Sequence, residues 1–167
     1  MPYLGEKIKK LGFGMMRLPE KDGAIDIEQV KEMTDLFMEA GFTYFDTAYM
    51  YHEYESERAM KDVLVTRKDR DSYTLASKLP VMQLKEKEDM ERIFNEQREK
   101  CGVEYFDYYL LHALDAEHYK TVKRLDCFGF AMQKKAEGKV KHVGFSFHDS
   151  AEVLDQILTE HPEAEFV

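Results

Sequence analysis

The feature that most constrains the fold is a regular repeat of strand-end residues. Five apolar, strand-like segments each precede a stretch of helical periodicity, and they close on Gly14, Asp46, Lys78, His112 and Ser146. These residues are 32, 32, 34 and 34 positions apart, about one strand–helix unit each. Since the carboxyl ends of parallel strands meet at one edge of a sheet, we expect the five residues to gather on a common rim.

Helix signals between these segments agree with the repeat. The first strand is predicted within KLGFGMMRL, residues 10–18, and Asp26 with Gln29 three positions later predicts the helix start that follows it. Gly41 predicts the end of that helix. The remaining helices are predicted over about residues 56–66, before Gly102, in one long stretch ending near Gly138, and around residues 153–158.

Composition predicts one soluble domain over residues 1–167. The chain is 44% hydrophobic and 34% charged, with a net charge of −9, which argues against nonspecific binding to nucleic acid or to an anionic membrane. No apolar run approaches the roughly 20 residues of a membrane span. The two cysteines, Cys101 and Cys127, suggest neither a disulfide framework nor a metal site. We expect a cytoplasmic protein.

The number of units predicts an incomplete barrel. Five strand–helix units are followed by HPEAEFV, which reads as a loop and the start of a sixth strand, whereas a complete eight-unit barrel needs about 250 residues. The sequence therefore predicts an α/β fold of the (β/α)8 TIM-barrel type, truncated to about five units, with its C-terminal part absent. An open doubly wound sheet is the alternative. The chain, however, has no G-x-G-x-x-G turn after its first strand.

The expected rim carries groups suited to proton transfer. A lone tyrosine, with a pKa near 10, is a poor proton donor at neutral pH, but an ammonium within about 4 to 6 Å favours the phenolate. A carboxylate would keep that ammonium charged, and a histidine could donate a hydrogen bond to the same substrate oxygen. Asp46, Tyr51, Lys78 and His112 could therefore protonate an oxygen as charge develops on it.

The motifs that carry these residues resemble the aldo-keto reductase family. FDTAYMY followed by SE, then SKLP, YYLLH and GKVKHVGFS, occur in the family's order and with suitable spacing. The resemblance covers the chain as the N-terminal half of a TIM-barrel enzyme that transfers a hydride from a nicotinamide cofactor to an aldehyde or ketone. It implies that Tyr51 is the general acid, that Lys78 and Asp46 tune it, and that His112 orients the carbonyl.

The resemblance also implies a cofactor, NADPH or NADH. The family commonly has Ser-Asn after its fifth strand to hold the nicotinamide amide, where this chain has Ser146-Phe147-His148. Ser146 carries over and His148 is a candidate. Gly14, Met15 and Asp46 are further candidates. GMMRLP with GFSFH is most similar to a branch that often carries an iron–sulfur segment, which here would lie beyond residue 167.

Other interpretations follow from the same residues. A non-catalytic, barrel-derived module could associate with itself through the unpaired edge of an open sheet, giving a homo-oligomer. A metal-dependent hydrolase would need clustered His and carboxylate ligands, and Lys78 lies between Asp46 and His112 in strand order, so no metal site is predicted. His52, His118, His142 and His161 are expected to be ordinary hydrogen-bonded histidines.

Overall fold

The computed structural model describes residues 4–167, which form a parallel five-stranded sheet with helices on one side. The strands of this sheet are β1 (Gly12–Gly14), β4 (Tyr44–Asp46), β5 (Thr74–Leu79), β6 (Phe106–Leu114) and β7 (Val140–Phe147). A separate antiparallel hairpin consists of β2 (Glu20–Lys21) and β3 (Ala24–Ile25). The α-helices are α1 (Ile27–Glu39), α2 (Ser56–Met60), α3 (Lys87–Cys101), α4 (Ala116–Leu125), α5 (Cys127–Ala136) and α6 (Ala151–Glu160).

The order of the strands identifies the type of sheet. Their spatial order is β1-β4-β5-β6-β7, so the main sheet follows the chain in one direction and every neighbouring pair is parallel. A doubly wound sheet reverses its direction at a switch point, and this sheet has no such point within residues 4–167. The arrangement is a segment of a (β/α)8 barrel that does not close, as the repeat predicted.

The predicted start of a sixth strand is present as a single bridge. Phe166 pairs in parallel with Gly144 of β7, and the Phe145 amide donates to the Phe166 carbonyl at 3.3 Å. A Cβ atom on Gly144 would lie 2.4 Å from that same carbonyl oxygen. Glycine at this position is therefore what allows the two backbones to approach.

Strand alternation separates an apolar layer from the inner face of the sheet. On each strand, every second side chain points toward the helices. The side chains of this layer that are fully buried include Phe45, Leu75, Tyr109 and Phe145, one from each of β4 to β7. The helices contribute the other half of this layer, with Met90, Ile93 and Phe94 of α3 nearly inaccessible, as their helical spacing predicted. The main core therefore fills the space between sheet and helices. The opposite face carries a second, smaller apolar cluster, formed by Ala76, Tyr108 and Leu110.

One sequence prediction about local structure is wrong. The long helical stretch before Gly138 is two helices, because Asp126 adopts a left-handed conformation (φ 60°) and its carboxylate caps α5 by accepting from the Gly129 amide. The first strand, Gly12–Gly14, closes on Gly14 as predicted. It is short because its only strand partner within residues 4–167 is the equally short β4. Asp26 also caps α1 as predicted, accepting from the Gln29 amide at 3.1 Å.

The helix predicted over residues 56–66 changes type midway. It is α-helical over Ser56–Met60 and continues as a π-helical turn over Lys61–Val65. Within residues 4–167, no helix has both the length and the apolar composition needed to cross a membrane. The thiols of Cys101 and Cys127 are buried and free.

Candidate active site

The register of the sheet brings the predicted rim residues onto one face. Asp46 is paired with Ala76, and Lys78 lies two positions farther along β5 on the same face. Lys78 is in turn paired with Leu110, and His112 lies two positions beyond Leu110. The same alternation continues from Gly144, the partner of Leu110, to Ser146. Residues spread over a hundred positions thus meet at the carboxyl ends of adjacent strands.

A buried ion pair lies at the centre of this rim. The Lys78 ammonium donates to Asp46 Oδ1 at 2.5 Å and to the Thr47 carbonyl at 2.8 Å. The Lys78 side chain is 6% exposed and that of Asp46 is 26% exposed. Burial raises the pKa of the Asp46 carboxyl, and attraction to Lys78 offsets part of that rise. The pairing compensates a lysine charge that would be costly to bury alone.

Tyr51 and His112 lie next to this ion pair. The Lys78 ammonium is 4.8 Å from the centre of the Tyr51 ring, and the Tyr51 and His112 rings meet edge to face at 5.7 Å. Burial and the Lys78 charge lower the pKa of His112 to about 4, so its imidazole is neutral near pH 7. His112 Nδ1 is buried without a hydrogen-bond partner among residues 4–167. The four residues predicted to be catalytic therefore form one cluster.

The chain takes an unusual path directly after Tyr51. His52, Glu53 and Tyr54 have φ values of 49°, 51° and 74°, so three successive non-glycine residues are left-handed. Such a conformation costs roughly 1–2 kcal/mol per L-residue. The turn is bridged by hydrogen bonds from the Glu55 amide to the His52 carbonyl and from the Ser56 amide to the Tyr51 carbonyl. Backbone strain is therefore concentrated beside the tyrosine of the cluster.

A bulge at the end of β6 connects His112 to Ser146. The β6–β7 register shifts between Leu111 and Leu114, and Ala113 adopts φ 54°. The Ala113 amide donates to Ser146 Oγ at 2.7 Å, and the Ala113 carbonyl lies 2.8 Å from His118 Nδ1. Both backbone polar groups of the left-handed residue Ala113 therefore have hydrogen-bond partners, which stabilise the bulge at the end of β6.

The other residues predicted to bind a cofactor have different surroundings. Gly14 is exposed, and a Cβ atom there would meet nothing within 4 Å. The Met15 side chain is fully buried in the core, its amide donates to the Asp46 carbonyl, and its own carbonyl accepts from Ser56 Oγ. His148 is exposed, and its amide donates to the Leu114 carbonyl. The cofactor contacts of Gly14, Met15 and His148 stay predictions.

Sequence reasoning missed a polar network behind the rim. The Glu57 side chain is fully buried, and its Oε1 accepts from Ser77 Oγ at 2.7 Å and from Gln97 Nε2 at 2.8 Å. Gln97 also donates to the Lys78 carbonyl and accepts from the Tyr109 hydroxyl. The only sequence signal was the SE that follows FDTAYMY. The network ties α2 and α3 to the strand that carries Lys78.

We expect Glu57→Gln to change how stability depends on pH. Burial raises the pKa of the Glu57 carboxyl above its ordinary 4.5, so the folded chain holds this proton more tightly than the unfolded chain. The wild type should therefore lose free energy of unfolding, relative to the variant, as the pH rises from about 4.5 through the raised pKa. Urea denaturation from pH 4.5 to 8 measures this difference.

Glu88→Gln, on the exposed face of α3, controls for the loss of a carboxylate. A difference between wild type and Glu57→Gln that does not vary over this pH range would contradict the assignment of a perturbed, buried Glu57.

The cluster is not arranged as a metal centre. Within the described part of the chain, no group of three or more His, Cys, Asp or Glu residues could hold a metal ion. The place that a third ligand would take between Asp46 and His112 is held by the Lys78 ammonium, a cation paired to the carboxylate. Nothing in this arrangement favours the metal-dependent hydrolase interpretation.

Comparisons with known proteins agree on one family. The sequence model described as "Aldo/keto reductase family" matches residues 10–167. No curated protein matches the chain. Among solved structures, an aldo-keto reductase from Klebsiella pneumoniae in complex with NADPH is similar at 21% identity and a TM-score of 0.73, covering 94% of this chain and 52% of that one.

Two further solved structures show the same relation. An aldo-keto reductase from Bacillus halodurans, in its holo form, has 22% identity and a TM-score of 0.71, covering 96% of this chain and 52% of that one. An aldo/keto reductase from Klebsiella pneumoniae in complex with NADP and acetate has 22% identity and a TM-score of 0.69, covering 90% and 49%. These likenesses confirm the fold. The chain spans about half the length of the structures it matches.

Proposed function

Since this chain belongs to the aldo/keto reductase family, we propose that it functions as, or as part of, an oxidoreductase that reduces an aldehyde or ketone by hydride transfer from NADPH or NADH. The observation that carries this proposal is the Lys78–Asp46 pair, whose ammonium lies against the Tyr51 ring, with the His112 ring also in contact with Tyr51. A proton donor, a fixed positive charge and a neutral imidazole then surround one point on the rim. This set suits a carbonyl oxygen that gains charge as it is reduced.

In this proposal Tyr51 donates the proton to the carbonyl oxygen. Lys78 places a positive charge beside the phenol, which favours the phenolate that is left after the transfer. Asp46 keeps the ammonium charged and directed. Of the three N–H groups of Lys78, the Asp46 and Thr47 oxygens occupy two, which leaves one for the side of Tyr51.

His112 acts as a neutral hydrogen-bond donor to the substrate. Its lowered pKa, about 4, means that it does not compete with Tyr51 as a proton source at neutral pH. Its ring packs edge to face with the Tyr51 ring, so the two side chains lie at the same part of the rim. We infer that this pair orients the carbonyl, because a donor on each side fixes the oxygen between them.

The residues at the rim fit a nicotinamide cofactor, which would supply the hydride. Ser146 Oγ accepts from the Ala113 amide, so its own hydroxyl proton is available to donate to the nicotinamide amide oxygen. The open space at Gly14 and the exposed side chain of His148 border the same rim. We propose that cofactor binding involves Ser146, His148, Gly14, Met15 and Asp46. Met15 contributes through its backbone amide, which donates to the Asp46 carbonyl.

Cofactor binding and turnover test the proposal directly. The chain has no tryptophan, so the fluorescence of NADPH itself, or calorimetry, follows binding. We expect saturable binding and oxidation of NADPH in the presence of 4-nitrobenzaldehyde. Where the reading frame continues past the Val167 codon, the longer product is assayed in parallel. A protein that neither binds NADPH nor reduces aldehydes in either form would contradict the proposal.

A second candidate function is self-association, which the open sheet favours. Among the residues that the structure describes, β1 has no strand neighbour on its outer side, and it is flanked by Leu11 and Met16, which are 54% and 53% exposed. Two copies could pair these edges as a homo-oligomer in the cytoplasm, whose reducing conditions suit the free buried thiols. Light scattering over a range of concentrations tests this: a discrete dimer supports it, and a monomer throughout contradicts it.

A further inference from the structure

The position of Tyr51 depends on its backbone more than on contacts of its own phenol. Its side chain contacts the Lys78 ammonium and the His112 ring, and its backbone bonds to the Ala48 carbonyl and to the Ser56 amide, both at 3.2 Å. Among residues 4–167, no hydrogen bond to its phenol oxygen is present. The left-handed turn of residues 52–54 follows it directly and sets the path of the backbone. Whatever holds this turn therefore also holds Tyr51.

His52 fastens the first residue of the turn. Its Nε2 accepts the Leu18 amide proton at 2.8 Å, and its Nδ1 lies 3.3 Å from a Glu20 carboxylate oxygen. Accepting at Nε2 requires that nitrogen to carry no proton, so in the neutral imidazole Nδ1 carries it and faces Glu20. The imidazole is 11% exposed. A distant segment that leads into the β2–β3 hairpin thus holds the turn through one histidine.

The far end of the turn is held less firmly. The Tyr54 hydroxyl accepts from Gln83 Nε2 at 2.8 Å, and the Tyr54 ring packs edge to face on Tyr49, but Tyr54 is 42% exposed. On its outer side the turn borders an open cavity of about 640 Å³, whose lining includes Glu53 and Arg58. His52 also lines this cavity, so packing from that side supports the strained backbone little. Besides the backbone hydrogen bonds of Glu55 and Ser56 that close the turn, the His52 side chain makes the less exposed of the two hydrogen bonds that tie the turn to distant segments.

We propose that His52 is a positioning residue: by accepting the Leu18 amide proton it maintains the left-handed turn of residues 52–54 and so keeps the Tyr51 ring against Lys78 and His112. This inference rests on the proposed function, in which Tyr51 is the proton donor. It assigns His52 a function beyond that of the ordinary hydrogen-bonded histidine expected from the sequence. His52 touches no reacting atom and acts only through Tyr51.

A pair of variants separates the hydrogen bond from the bulk of the side chain. His52→Gln offers an amide oxygen where Nε2 accepts, whereas His52→Leu fills similar space without an acceptor. Nuclear magnetic resonance of ¹³C-tyrosine-labelled protein reports on Tyr51, whose signal is assigned by its loss in Tyr51→Phe. We expect nuclear Overhauser contacts between the Tyr51 and His112 rings in the wild type and in His52→Gln, and their loss in His52→Leu.

A control and a rescue complete the design. His161→Leu removes another histidine paired with a glutamate, His161 Nδ1 lying 2.9 Å from Glu163, and should leave the Tyr51 signal unchanged. Glycine adopts the left-handed conformation without strain, so adding Glu53→Gly to His52→Leu should restore the Tyr51–His112 contact. If His52→Leu alone does not fold, His52→Met, which also offers no nitrogen or oxygen acceptor to the Leu18 amide, takes its place with the same expected loss.

The outcomes distinguish this inference from the proposed function. Where reduction is observed, His52→Leu should lower kcat by about 10- to 100-fold with little change in the KM for cofactor, and His52→Gln should recover most of it. The inference is overturned if His52→Leu keeps the Tyr51–His112 contact. It is also overturned if His52→Gln loses that contact as completely as His52→Leu does. If the contact depends on His52 but no form reduces a carbonyl, the proposed function fails and the positioning role stands.

Discussion

Tyr51→Phe is expected to lower kcat for carbonyl reduction by about 10²- to 10⁴-fold, the usual contribution of a general acid. The substitution removes one oxygen and leaves the ring in contact with Lys78 and His112. Cofactor affinity should therefore stay close to that of the wild type. Steady-state reduction of an aldehyde measures the first quantity, and a direct NADPH titration measures the second.

The matched control for this experiment is Tyr49→Phe. Tyr49 lies two residues earlier, is 8% exposed and donates its phenol proton to Glu96 on the helix side of the sheet. Tyr49→Phe removes the equivalent phenol oxygen from the same loop, and we expect kcat to stay unchanged. If Tyr51→Phe lowers kcat and cofactor affinity equally, or if the two variants behave alike, Tyr51 is a structural residue and the assignment of the proton donor is wrong.

Lys78→Met should destabilise the fold by about 3 kcal/mol, because it leaves the Asp46 carboxylate half-buried without its counter-charge. The figure is at the lower end for broken buried pairs, since Asp46 keeps 26% exposure. The loss of the Lys78 charge should also raise the pKa of Asp46 further, as burial then acts without an opposing attraction. Urea denaturation at pH 7 gives the free energy of unfolding.

Two comparisons separate the ion pair from general loss of a lysine. Lys100 is almost as buried, 7% exposed, but its partner Glu96 is 38% exposed, so Lys100→Met should cost less. The double variant Lys78→Met/Asp46→Asn should recover part of the stability lost in Lys78→Met, because no buried charge remains. A loss no larger than that of Lys100→Met would contradict the description of a desolvated pair.

The cluster was predictable because it depends on regular features. The repeat of 32 to 34 residues, together with the rule that parallel strands end on one side, predicts from the sequence alone that Asp46, Lys78, His112 and Ser146 lie at one rim. Tyr51 needed the family motif as well, because it lies in a loop and several tyrosines surround it. Side-chain alternation along the strands then fixes which face carries these residues.

The supporting residues were not predictable, because each depends on contacts between distant segments. The network around Glu57 forms only when α2, α3, β5 and β6 pack together, and no local pattern distinguishes Glu57 from the neighbouring exposed glutamates. The Ala113 bulge and the left-handed turn after Tyr51 contradict local backbone preferences. Ser146 and His118 bond to the backbone of Ala113, and the Leu18 amide donates to His52 of the turn.

The sequence by itself determined the open parallel sheet, the order of its strands and the composition of the rim, because periodicity and connection length constrain these through local geometry. Only the tertiary structure decided how the rim is held: which carbonyl Lys78 contacts besides Asp46, which nitrogen of His112 is left unpartnered, and which histidine holds the turn behind Tyr51. These depend on hydrogen bonds between residues about 30 positions apart, whose partners exist only once the strands and loops have packed.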